Sequence, residues 1–187
     1  LSYNNIQDGN AAIEILKDFE GQCAAVGLKH MNPCGVGIGE NIEAAWDKAY
    51  EADPVSIFGG IVALNDTVEK GLAEKLSKIF LEIIIAPDFT PEALEILTRK
   101  KNIRLMKLDT TLSVNTSLKY TNVNDGLLVQ EMDMHQIKEE DLRCVTNRKP
   151  TPEEIKQLLF GWKVVKHVKS NAIVLVKDDM TIGVGAG

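Results

Sequence analysis

Apolar positions along the chain change period repeatedly, and each change marks the boundary of an element. Ala12, Ile15, Leu16 and Phe19 fall on one stripe at helical spacing, which predicts an amphipathic helix over residues 11–19. Residues 23–28, CAAVGL, are small or apolar throughout, as suits a strand buried on both faces. Helical spacing returns over residues 41–52, with Ile42, Ala45, Trp46 and Ala49 inward. Residues 61–64 read as a strand, 68–80 as a helix, and 82–86 as a strand closed by Pro87. Thr90 then caps a helix that has Pro91 in its first position, and residues 104–108 form the next strand. This βαβ rhythm over residues 22–108 predicts an α/β domain, a sheet with parallel strands and helices on both faces.

The rhythm breaks between residues 109 and 148. There, 118–121 and 126–130 read as strands of an antiparallel edge, which would make the sheet mixed, and 137–141 as a single helical turn. Thr151-Pro152-Glu153-Glu154 opens a helix running to about residue 168, with an N-cap, a proline and acids in its first turn. Its inward positions are expected to be Ile155, Leu158, Leu159, Trp162 and Val165. A hairpin of residues 172–176 and 180–184 about Lys177-Asp178-Asp179 follows.

Composition narrows the partners. A length of 187 residues fits one domain of roughly 150 residues with an appendage, large enough to bury a core without staples. The net charge of −6, with acids spread along the chain, argues against a nucleic acid or an anionic membrane as partner. No apolar run nears the ~20 residues that a membrane helix needs. Cys23, Cys34 and Cys144 are odd in number and irregular in spacing, so free thiols in a reducing, cytoplasmic setting are expected. The opening LSYNNIQDGN has neither a basic nor an apolar signal region, and it lacks an initiator Met. Together with the glycine-rich ending TIGVGAG, this suggests a piece of a longer polypeptide.

Candidate chemistry concentrates in Lys29-His30-Met31-Asn32-Pro33-Cys34-Gly35-Val36-Gly37, where a buried strand meets proline and glycine. Open α/β sheets bind ligands at such strand ends. Neighbouring side chains on a regular strand face opposite ways, so Lys29 and His30 address one site only if the strand breaks there. A histidine titrates near neutrality and can accept a proton from an attacking group, while a lysine can stabilise an oxyanion. The plainer reading makes His30 a core histidine bonded to backbone and Lys29 a solvated rim charge. The glycines match neither GxGxxG nor GxxxxGK[ST], leaving an anion nest before the 41–52 helix or a plain loop. Zinc is not expected, because Cys34 has no partner at Gly37 and Asn32 stands where HxE needs Glu. Gly59-Gly60 permits close approach of a ligand or a tight turn. Lys166 and His167 suit a helix C-terminus without any function, and Asn171 can both donate to and accept from a ligand amide.

The blocks KHMNPCGVG, DPVSIFGGIVALN, EIIIAP, KKNIRL and WKVVKHVKSNAIV…GVGAG, in that order, resemble the bacterial bifunctional purine-biosynthesis enzymes that close the IMP ring. The similarity is to their transformylase part, the 5-aminoimidazole-4-carboxamide ribonucleotide (AICAR) formyltransferase, and it spans essentially the whole chain. It implies a three-layer α/β/α, cytidine-deaminase-like fold without zinc. Residues 1–148 would form the first transformylase subdomain with its antiparallel extension, and 149–187 the truncated start of a second. It further implies that His30 is the general base for attack of the AICAR amine on the formyl carbon of 10-formyltetrahydrofolate, the cosubstrate. Lys29 would stabilise the tetrahedral state or aid protonation of the departing folate nitrogen. Asn171 would orient the AICAR carboxamide, and Gly60 stands where some relatives carry a substrate-contacting aspartate. Some relatives bind potassium around the segment matching 164–172, mostly through backbone carbonyls, and the family's sites lie at a homodimer interface. The cyclohydrolase domain and some phosphate- and folate-side elements have no counterpart here, so the chain is expected to be inactive alone. A second class remains beside this one: a non-catalytic α/β module that binds a nucleotide or holds a dimer together.

Overall fold

The computed structural model describes residues 1–109 and 118–187. Ser2 opens helix α1 (Tyr3–Lys17) through a reciprocal capping box with Asn5, eight residues before the stripe visible in the sequence. Strand β1 (Cys23–Lys29) follows, and it is the centre of the fold. It pairs antiparallel on one side with β2 (Asn32–Gly39) and on the other with β3 (Ile61–Leu64). Strands β3, β4 (Ile83–Ala86) and β5 (Arg104–Lys107) then run parallel, linked through α3 (Lys70–Leu76) and α4 (Pro91–Leu97). Helix α2 (Ile42–Ala52) connects β2 to β3. With β8 (Ile173–Lys177) and β9 (Met180–Gly185) the sheet has seven strands in the order β5-β4-β3-β1-β2-β9-β8. It is a mixed sheet with helices on both faces, as expected.

Strand alternation divides the core in two. Ala25, Val62, Leu64 and Ile84 face α2, α3 and α4, with Trp46, Leu72 and Leu97 closing that layer. Ala24, Val26, Leu28, Ala63, Ile83 and Ile85 face the opposite way, towards α1 and α5 (Pro152–Val165). The hydroxyl of Thr181, fully buried, accepts the Val36 N–H at 3.0 Å, a pairing that joins β9 to β2 where their ladder is short.

Three expectations are corrected. The glycine segment is neither a nest nor a loop but strand β2. Gly35, Gly37 and Gly39 share one face, and a β-carbon on Gly37 would lie 2.6 Å from the Ala45 carbonyl oxygen. Glycine is there so that α2 can lie directly on the strand backbone. The Asn41 side chain caps α2 by accepting the Ala44 N–H at 2.8 Å. The two strands expected at a sheet edge, β6 (Leu118–Val123) and β7 (Gly126–Glu131), instead form their own two-stranded ribbon, exposed at every position. Helix α5 begins at the expected Thr151 capping box, but it is turned from the expected face. It buries Phe160, Gly161 and Val164, while Leu158 and Trp162 remain exposed. Apolar residues occupy much of its circumference, so periodicity alone does not choose the face. Residues 149–187 also contribute to this core. Phe160, Val164 and Val168 pack in the same layer as Ile15 and Phe19, and β9 pairs with β2. Among the described residues no helix is long and apolar enough to cross a membrane.

Candidate functional site

Lys29 ends β1 opposite Asn32 of β2, which leaves His30 and Met31 as a two-residue hairpin turn. Their φ values of 54° and 61° are positive at both central positions, the geometry that matches the twist of the flanking strands. Neither residue is a glycine, so this left-handed backbone carries a steric cost that surrounding contacts must offset. Those contacts come from side chains outside the turn. The Asp8 carboxylate accepts the Met31 N–H at 2.8 Å. The Asn32 amide donates to the His30 carbonyl at 3.1 Å and accepts the Lys169 N–H at 3.1 Å.

His30 is therefore exposed at the tip of a fixed turn, and among the described residues nothing hydrogen-bonds its ring. The reading of a core histidine does not apply. Lys29 is half-buried, and its ammonium donates to the Phe58 carbonyl at 2.9 Å. No carboxylate of the described residues pairs with it. The strand does break between the two side chains, which releases them from the opposite-face rule.

A cavity of about 1140 Å³ opens beside the turn, lined among others by His30, Asn32, Lys166, His167, Lys169 and Ser170. Lys29 and Gly60 lie instead toward the Phe58 loop, and they do not line it. Gly60 is buried, a β-carbon there would sit 2.8 Å from the Leu28 carbonyl oxygen, and its own N–H and carbonyl already pair with Ile57 and Glu82 at 2.9 and 3.0 Å. Asn171 is exposed, with its own N–H donating to the Gly187 carbonyl at 3.1 Å. Its segment is brought against the hairpin turn through Lys169, two residues earlier.

Lys166 and His167 are more than end charges of a helix. Lys166 Nζ and His167 Nε2 lie 2.9 and 2.6 Å from Oδ2 of Asp18, a carboxylate only 8% exposed at the end of α1. Burial alone would push this carboxyl up, but the hydrogen bonds and charges of His167 and Lys166 outweigh it and hold it below its usual range. Burial, with the negative charge of Asp53, pushes the Cys34 thiol up to about 11, which leaves it protonated and a poor nucleophile. Among the described residues no group of three or more His, Cys, Asp or Glu could hold a metal. For potassium the 164–172 segment would offer mainly backbone carbonyls, some of them already engaged. The carbonyls of Val164, Val165 and Lys169 already accept from His167, Val168 and Gly187. No step below runs through such an ion.

Fold and site together define an α/β/α protein that presents a Lys–His pair where its central strand ends. The chain belongs to the AICARFT/IMPCHase bienzyme family, whose model matches residues 1–187. It is 62% identical over all of its length to the bifunctional purine biosynthesis protein PurH of Oceanobacillus iheyensis, and 62% identical to that of Anoxybacillus flavithermus. Identity to the protein of the same name from Lysinibacillus sphaericus is 60%, again over the whole chain. The chain spans only 36–37% of the length of these curated relatives.

Proposed function

We propose that this chain carries the catalytic pair for transfer of a formyl group from 10-formyltetrahydrofolate to the 5-amino group of AICAR. The observation that carries the reading is the hairpin tip, where an exposed imidazole, unpaired among the described residues, directly follows an ammonium that donates to a carbonyl. In that reading the amine nitrogen attacks the formyl carbon and a C–N bond forms, while the carbonyl π electrons move onto oxygen. His30 takes the proton that the amine sheds, a role suited to an imidazole near neutral pH. Lys29 faces the developing oxyanion with the N–H donors that Phe58 leaves free. Collapse of the tetrahedral intermediate breaks the bond from carbon to the folate N10, and that nitrogen receives the proton held by His30.

Asn171 orients the AICAR carboxamide by donating and accepting at once, and Gly60, having no side chain, leaves room for the substrate beside the Phe58 loop. The relatives are named bifunctional, and formyl transfer is one half of what the family description names. AICAR and the reduced folate are the proposed partners, with the complete enzyme working as a homodimer. The test is a formyl-transfer assay with AICAR and 10-formyltetrahydrofolate on the 187-residue chain and on a polypeptide extended at both ends. Turnover by the extended form with little by the chain is expected. Binding of AICAR without transfer by either form would favour a nucleotide-binding module instead.

A further inference from the structure

We infer that Asn32 is a positioning residue that registers the His30 turn against the Lys169–Ser170–Asn171 segment. Its catalytic meaning rests on the function proposed above, whereas the physical bridge stands on contacts within this chain. The side chain of Asn32 meets two backbone groups that no other hydrogen bond of the described residues joins directly. Its Nδ2 donates to the carbonyl of His30 at 3.1 Å, and its Oδ1 accepts the N–H of Lys169, a residue 137 positions away, at 3.1 Å. The two partners have opposite polarity, so the orientation of the amide is fixed by its surroundings: turned over, it would set NH₂ against N–H and oxygen against oxygen. Among side chains of this length only a carboxamide supplies a donor and an acceptor on separate atoms. An aspartate keeps the acceptor alone, and an alanine keeps neither.

The bridge is closed on both sides. Met31, next in the turn, gives its N–H to Asp8, while the carbonyl of Lys169 receives the Gly187 N–H at 3.2 Å and Asn171 donates back to Gly187. Asn32 thus links the turn directly to the 169–171 segment, at the open end of the β2–β9 pairing that joins the two strands further along. The turn carries the proposed base and the segment the proposed carboxamide-orienting residue. His30 holds φ at 54°, a conformation that a free turn would leave readily, so a hydrogen bond on its own carbonyl bears directly on where the imidazole points.

The test compares the parent chain, Asn32→Ala and Asn32→Asp by amide hydrogen exchange resolved by residue, with AICAR titrated into each while the His30 ring and Lys169 amide signals are followed. Loss of one net hydrogen bond should speed exchange at Lys169 about fivefold or more in Asn32→Ala, while Asn32→Asp keeps the protection. Amides within β1 should exchange alike in all three. With AICAR, the His30 and Lys169 signals should move together in the parent and separately in Asn32→Ala. Unchanged Lys169 exchange in Asn32→Ala would overturn the inference. So would a general loss of β1 protection in both variants, since Asn32 would then only be holding the hairpin. If AICAR moves neither signal in the parent, the exchange comparison still decides the bridge, and formyl transfer by the polypeptide extended at both ends decides the proposed function.

Discussion

His167 Nε2 lies 2.6 Å from Oδ2 of Asp18, a hydrogen-bond contact across 149 residues that pins the end of α5 to the end of α1. Lys166 joins at 2.9 Å, and Lys163, half-buried, lies over the ring of Phe19, the residue after Asp18. A mostly buried carboxylate is tolerable only because two donors replace its water.

Removing that charge should therefore weaken the fold. Asp18→Asn is expected to lower unfolding free energy by about 2 kcal/mol, the scale of lost charge-assisted hydrogen bonds. The pH dependence follows from direction alone. The carboxyl is depressed in the folded state, so its contribution is complete above the ordinary carboxylate range near 4 and is lost as pH falls through the folded value. Denaturant midpoints between pH 7 and pH 3 should fall more steeply for the parent than for Asp18→Asn. Parallel curves would mean that the cluster adds nothing to acid stability.

Gly37 should tolerate no side chain. A β-carbon there meets the Ala45 carbonyl oxygen at 2.6 Å, the Ala49 nitrogen at 2.7 Å and the Lys48 β-carbon at 2.7 Å. Two of these are backbone atoms of α2, which cannot move without shifting the helix. Gly37→Ala is expected to cost about 3 kcal/mol or more, read as a drop in thermal midpoint. Gly21→Ala is a useful control of another kind. Nothing lies within 4 Å there, so its cost should be only that of the positive φ of 79°.

The same glycines show what the sequence could and could not disclose. Strands β1, β3 and β4 are legible because each is a short run buried on both faces. The β8–β9 turn is legible too, with Asp178 and Asp179 at φ 53° and 63° as short polar turn residues allow. Strand β2 is not, because glycine is locally a turn residue and becomes a strand residue only when a helix lies on it. The alternation at 35, 37 and 39 was the available signal. Lys29 and His30 stand out by their place at a strand end. Asp8, Asp18 and Asn32, which fix their surroundings, have no local mark because their partners lie 23, 149 and 137 residues away. Trp162 and Leu158 mislead for a related reason, being apolar residues on a helix with too many apolar faces.

The three cysteines should differ sharply toward an alkylating reagent. Cys144 is exposed, and hydrogen bonds with Thr146 hold its thiol below the usual range. Burial and the Asp53 charge push Cys34 up to about 11, and burial with the Asp66 charge raises Cys23. At pH 7.5, peptide mapping after a short iodoacetamide pulse should find Cys144 modified roughly a hundredfold faster than Cys34, since the thiolate is the reacting form. Comparable labelling of the two would show that Cys34 is opened to solvent on the time scale of the pulse.

The catalytic assignment makes the most exposed prediction. In a complete enzyme carrying these residues, His30→Ala should lower kcat for formyl transfer about 10²–10⁴-fold while leaving AICAR affinity nearly unchanged, because a general base acts on a proton lost in the transition state. Its backbone position should not suffer, since Asp8 and Asn32 hold the turn through main-chain atoms that alanine retains. Lys29→Ala should also reduce kcat, as its ammonium is wanted most where negative charge develops on the formyl oxygen. Asn171→Ala should act differently, weakening AICAR binding by about 1–3 kcal/mol through an unmade ligand hydrogen bond. Steady-state kinetics with AICAR isotherms separate these cases. Turnover at the parental rate by His30→Ala would return the imidazole to an exposed turn residue with no part in proton transfer. A matched loss of binding and rate in both His30→Ala and Lys29→Ala would instead assign the pair to holding the substrate.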